Sequence, residues 1–86
     1  MKINKSMFLY AIGNSKDKQK IGISATPEQR LKTLQTGNPD ALQLHYKFEI
    51  TESSALKFER FVHNEIRYKK LKGEWFSMTP DEVVSF

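Results

Sequence analysis

The sequence predicts an α+β domain: a small three-stranded antiparallel sheet flanked by helices, in the order β-β-α-β-α with short C-terminal elements. Three observations predict it. The apolar run Met7–Ile12 and the extended stretch Lys20–Ser24 are joined by one short polar turn, so they pair as an antiparallel hairpin. Thr26-Pro27-Glu28-Gln29 follows at once and reads as a helix start. Ala41–Ile50 then alternates apolar and polar residues before a long helical pattern begins. The 86 residues are enough for a single domain over 1–86 and leave no room for a second core.

Each element has its own reason. MFLYAI ends at Gly13-Asn14 and reads as a buried strand followed by a turn. Gly22, inside the second strand, marks either a bulge or a place where another group approaches the backbone closely. In the first helix Thr26 can cap, Pro27 suits the first helical position and Gln29 completes a capping box. Leu31 and Leu34 supply its buried stripe, and Gly37 with Asn38-Pro39 stops it; Arg30 lies at the edge of that stripe. The third strand puts Leu42, Leu44, Tyr46, Phe48 and Ile50 on one face and Gln43, His45, Lys47 and Glu49 on a wet one. Thr51 caps a second helix over Glu52–Lys69, with Ala55, Phe58, Val62 and Ile66 at helical spacing. Gly73 ends it, GEWFSM is a short strand or extended piece, and Thr79-Pro80-Asp81-Glu82 repeats the helix-start chemistry.

Composition narrows the function classes. With 38% apolar and 28% charged residues the chain belongs with globular rather than disordered proteins. The N-terminal apolar run is too short for a signal peptide, and nothing approaches membrane-spanning length. The absence of cysteine excludes disulfides and thiolate metal sites. A cytoplasmic or nucleoid-associated protein, neither secreted nor membrane-bound, is expected. The net charge of +4 favours a polyanionic partner. Its clusters, Lys16, Lys18 and Lys20 in one turn and Arg67, Lys69, Lys70 and Lys72 at the end of the second helix, are either a nucleic-acid footprint or solvated charge.

Four side chains occupy positions that core packing does not require. Tyr10 sits inside the first strand, where a half-buried ring with its hydroxyl at the rim is the plain reading. Arg30 reads plainly as a solvated helix residue. Glu59 and His63 stand one helical turn apart beside the core stripe, as a surface hydrogen bond or as a carboxylate and an imidazole offered to one site. Together they form a parts list for metal-assisted phosphoryl transfer: an acid-base group, a cationic clamp and a hard-cation ligand.

The order and spacing of Phe8-Leu9-Tyr10, Lys20-Ile21-Gly22-Ile23-Ser24, Pro27-Glu28-Gln29-Arg30-Leu31, Glu59 with His63, and Gly73-Glu74-Trp75-Phe76 resemble the GIY-YIG nuclease superfamily. The match is nearest to its T5orf172 or Mug113-like branch and spans about Phe8 to Phe76. The resemblance implies a GIY-YIG-like fold and cleavage of DNA with Mg²⁺ or Mn²⁺. It makes Tyr10 the residue that activates the attacking water, Arg30 the phosphate clamp, Glu59 the sole metal-ligating carboxylate and Gly22 the bare backbone beside the site. Lys20 stands where the wider superfamily has a second tyrosine; it can donate to a phosphate oxygen but cannot accept a proton as a phenol does. Phe8 replaces a glycine, and Leu34 stands where many members have a histidine, which leaves His63 to supply acid-base chemistry. The alternatives are a module of the same fold that binds nucleic acid or a protein without cutting, and a structural domain in which Arg30 and Glu59 form an ion pair. Specific recognition, or a cut in both strands, calls for a fused domain or a homodimer.

Overall fold

The expected hairpin forms, and the sheet extends beyond it. The computed structural model describes residues 6–85. In chain order the elements are β1 (Ser6–Gly13), β2 (Lys18–Ser24), α1 (Pro27–Gln35), β3 (Gln43–Thr51), α2 (Glu52–Glu65), a 3₁₀ turn (Arg67–Lys69), β4 (Lys70–Lys72), β5 (Trp75–Ser77) and α3 (Pro80–Ser85). The sheet has five antiparallel strands in the order β3-β1-β2-β5-β4, not three. Of the two further strands, β5 falls in GEWFSM, read as a short strand or extended piece, and β4 in a segment read as a helix end. The second helix stops at Glu65, and RYKKLK becomes the 3₁₀ turn followed by β4. With Gly73 at φ 60, a conformation that favours a residue without a Cβ, the chain reverses and β5 returns along β4.

Alternation along β1 divides the core in two. Leu9 and Ala11 face α2 and α3, packing with Ile21, Val62, Ile66, Phe76, Met78 and Val83. Tyr10 and Ile12 face α1, packing with Leu42, Leu31, Leu34, Leu44 and Trp75. The strict alternation expected of β3 is broken where the β1–β3 register shifts between Ala11 and Ile12. Ala11 pairs with Tyr46 and Ile12 with Leu44, so His45 is the extra residue. Leu44 therefore joins the α1 side, whereas Tyr46 and Ile50 join the α2 side.

The capping expectations divide as well. Thr26 makes no side-chain cap bond, and Ser24 Oγ instead accepts the Thr26 N–H at 3.0 Å. Thr26 has ψ 73, away from the extended conformation in which a threonine hydroxyl reaches the first-turn amides. Thr51 spends its hydroxyl on Ser54 at 3.1 Å rather than on the backbone. The capping box forms at α3: Glu82 Oε1 accepts the Thr79 N–H at 2.9 Å, and Thr79 Oγ1 accepts the Glu82 N–H at 3.1 Å.

Candidate active site at the open edge of β2

The β2–β5 ladder is short. Lys18, Gln19 and Lys20 pair with Ser77, Phe76 and Trp75, and there β5 ends, because Gly73 and Glu74 form the turn into it. Ile21 directs both backbone groups toward this edge. Its N–H is accepted by the Glu74 carbonyl at 3.0 Å. Its carbonyl, which would await the next residue of a longer strand, is met by His63 Nε2 at 2.7 Å. A carbonyl only accepts, so Nε2 carries the proton and Nδ1 is the nitrogen left to accept. The His63 ring rests on Phe76, their centroids 5.1 Å apart.

Gly22 follows on the edge that β5 leaves unpaired. It lies opposite Tyr10 on β1 and is not a bulge. A Cβ here would stand 2.7 Å from the Tyr10 hydroxyl, 2.9 Å from its Cζ and 3.0 Å from Glu74 Oε1. The missing side chain is thus the space in which a phenol and a carboxylate converge. Tyr10 is 2% exposed, a fully packed ring rather than a half-buried one. Lys20, two residues before Gly22 on the same face of β2, sends its ammonium to Glu74 Oε1 at 3.1 Å.

Glu59 arrives from α2, on the other side of the sheet. It is buried, as its place beside the core stripe implied, and its carboxyl group meets that of Glu74. Its pKa is raised, first by burial and then by the neighbouring Glu74 carboxylate, against the opposing pull of His63 and Lys20. Tyr10, Lys20, Gly22, Glu59 and His63 therefore meet around one stretch of strand edge. Arg30 does not join them by any contact: it is exposed in the first turn of α1, without an ion pair to any described residue, although its neighbour Leu31 packs in the Tyr10 cluster. The structural alternative, an Arg30–Glu59 ion pair, is not formed.

Glu74 is the participant that sequence reasoning missed. It stands within the GEWF motif, but only the hairpin turn, invisible to periodicity, reveals that its side chain reaches back to β2. Of the basic residues proposed for DNA, Lys16 and Lys18 are exposed at the β1–β2 turn and Lys70 and Lys72 on the edge strand β4. Arg67 is tied to Asn64, and Lys69 to Glu82 at 3.0 Å. An apolar hollow of about 250 Å³ lies between α2, β3 and α3; no charged side chain lines it, so it offers no place for this chemistry.

A family model described as the T5orf172 domain matches residues 7–86. The chain belongs to the T5orf172 family. No curated protein and no solved structure matches it. Within this T5orf172 domain, no described group of three or more His, Cys, Asp or Glu residues could by itself hold a metal ion. The donors present are the carboxyl oxygens of Glu59 and its neighbour Glu74. Such a site fits a hard cation that takes one protein carboxylate and completes its shell with waters and a substrate phosphate, as Mg²⁺ does. No helix among the described residues is long and apolar enough to cross a membrane.

Proposed function

We propose that this T5orf172 domain is a metal-dependent DNA endonuclease domain of the GIY-YIG type that hydrolyses phosphodiester bonds. The observation that carries the reading is the convergence of the Tyr10 hydroxyl and the Glu74 carboxylate at Gly22, with Lys20 paired to Glu74 and the buried Glu59 carboxyl group beside it. Tyr10 orients the attacking water and relays its proton, taking it as the phenol's own proton passes to bulk water, while the new oxygen–phosphorus bond forms and the bond to the leaving ester oxygen breaks. Gly22 lets substrate approach bare backbone. Lys20 donates to a phosphate oxygen, and Arg30, free to swing from its exposed turn, clamps the charge that builds on the phosphate. His63 fixes the strand edge through Ile21 and keeps Nδ1 for proton exchange. Glu59 would hold Mg²⁺ or Mn²⁺, which when bound supplies positive charge to the leaving oxygen. Lys16, Lys18, Lys70 and Lys72, with Arg67 and Lys69 behind them, form the basic surface for the DNA backbone. The test is cleavage of plasmid DNA with Mg²⁺ or Mn²⁺ by the native protein and Glu59→Ala; equal cutting removes Glu59 from the mechanism.

One observation favours a second reading. Lys20 is engaged by Glu74 and Arg30 stands apart from the cluster, an arrangement that also suits a module which binds DNA without cutting it. That module would show affinity that falls as salt rises and no product with any divalent ion.

A further inference from the structure

Phe61 stands two residues from both Glu59 and His63, and so on the opposite side of α2 from them. It is 57% exposed, and Phe48 on β3 and Val84 on α3 are exposed with it around the apolar hollow of about 250 Å³. An apolar cavity of about 150 Å³ already takes a benzene ring. The hollow therefore has room for an aromatic side chain, and none of Lys16, Lys18, Lys70 and Lys72 lines it.

The charges beside Phe61 say which aromatic side chain. Lys57, Phe61 and Glu65 follow one another at four-residue intervals and form a single exposed ridge on α2. The lysine and the glutamate lie at its two ends, about 12 Å apart along the helix. Neither is in an ion pair with any described residue. Turned about a two-fold axis at Phe61, this ridge is complementary to itself: Lys57 of one copy meets the partner's Glu65, and Glu65 the partner's Lys57. A register centred between Phe58 and Glu59 would instead set Lys57 against Arg60 and Glu52 against Glu65, like against like.

We propose that this face is a homodimer interface, in which two copies lay α2 against α2 antiparallel and each Phe61 ring enters the other copy's hollow. Apolar burial supplies the affinity, and the two Lys57–Glu65 pairs fix the register. The inference goes beyond the nuclease reading and does not rest on it.

The test is sedimentation equilibrium of the whole protein over a concentration series. Native protein is expected to pass from monomer to dimer as concentration rises. Phe61→Ser, at an exposed position, is expected to remain monomeric with an unchanged circular-dichroism melt. Lys57→Glu and Glu65→Lys each bring like charges together twice, once on either side of the axis. Each is expected to weaken the dimer about tenfold. An equimolar mixture of these two variants opposes unlike charges again and is expected to recover the native affinity as a heterodimer. A dimer that Phe61→Ser leaves intact would place the contact elsewhere and overturn the proposal. So would a mixture that associates no more tightly than its components, which would deny the antiparallel register. Native protein that stays monomeric at every concentration, its hollow covered by another part of the chain or left to a different protein, would overturn it as well.

Discussion

Gly22 offers the sharpest test of the site's geometry, because a single methyl group probes it. In Gly22→Ala the new carbon would lie 2.7 Å from the Tyr10 hydroxyl and 2.9 Å from Cζ. Carbon contacts are comfortable at about 3.5 Å or more, so one partner must retreat by more than half an ångström. Glu74, whose carboxylate is 3.0 Å from the same point, ends a half-exposed side chain and can move. Tyr10 cannot: it is 2% exposed and wedged among Ile12, Leu42, Leu31 and Trp75. Overpacking of this kind costs about 1–3 kcal/mol, and the stiffer unfolded chain of alanine returns at most about 1 kcal/mol. A net loss of about 1–2 kcal/mol lowers the midpoint of a domain this size by roughly 4–16 °C. Because the shift falls on the phenol proposed to meet the water, cleavage should drop by about a hundredfold, beyond what the lost stability explains.

Urea unfolding followed by circular dichroism measures the first effect, and plasmid nicking below the unfolding temperature the second. The Tyr10→Phe background supplies the control. It deletes the atom at 2.7 Å but not the one at 2.9 Å, so the alanine penalty should shrink without vanishing. Native stability for Gly22→Ala, or an identical penalty with and without the hydroxyl, would refute the close approach on which the site is built.

Glu59→Gln should abolish metal-dependent cutting yet stabilise the fold at neutral pH. The folded protein binds this proton more tightly than the unfolded chain does, so ionising Glu59 costs stability above its raised pKa and nothing below the unfolded value of about 4.3. The advantage of the variant should therefore fade as pH falls through that window in thermal melts. Thr79→Ala removes half of the α3 capping box and should cost about 1 kcal/mol in urea titrations, whereas Thr26→Ala, which breaks no cap bond, should cost little. The pair Lys16→Ala and Lys18→Ala should reduce the slope of log affinity for duplex DNA against log salt by roughly two; an unchanged slope in fluorescence anisotropy would take the β1–β2 turn off the DNA.

The elements whose signal is local were legible. MFLYAI, the polar turn after it and the 3.6-residue spacing of Ala55, Phe58, Val62 and Ile66 carry β1, the hairpin and α2 in the sequence itself. What escaped depends on partners distant along the chain. Lys70–Lys72 carries no strand pattern and extends only because Trp75–Ser77 returns beside it, while Trp75–Ser77, open in the sequence between strand and extended piece, is fixed as a strand by β2. The bulge at His45 leaves no mark on the apolar alternation of β3, because the leucines and aromatics on either side of it all find a core, merely on opposite faces. For the site, the residue types could be read and the geometry could not. Gly22 was open between a bulge and a close approach, and only the pairing with Tyr10 decides between them. Glu74 was a letter in a motif until the Gly73 turn aimed it at Lys20.

The location of the cluster follows from where the sheet stops pairing. Tyr10, Lys20 and α1 occupy one face, and α2 with Glu59 and His63 occupies the other, so continuous pairing of β2 with β5 would place a layer of backbone between them. Because β5 begins only at Trp75, β2 has a bare flank beyond Lys20, and side chains of both faces meet across it. An unpaired strand edge is ordinarily an invitation to aggregation. Here His63 takes the Ile21 carbonyl, and Lys20 with Glu74 places charge beside the gap, so the edge is protected against another strand. In the proposed mechanism Arg30, on the Tyr10 face, would reach the phosphate held beside Glu59 only at this flank. Extending β5 by pairing Glu74 fully with Ile21 and Gly73 with Gly22 would seal it and should separate the two halves of the site while leaving each intact.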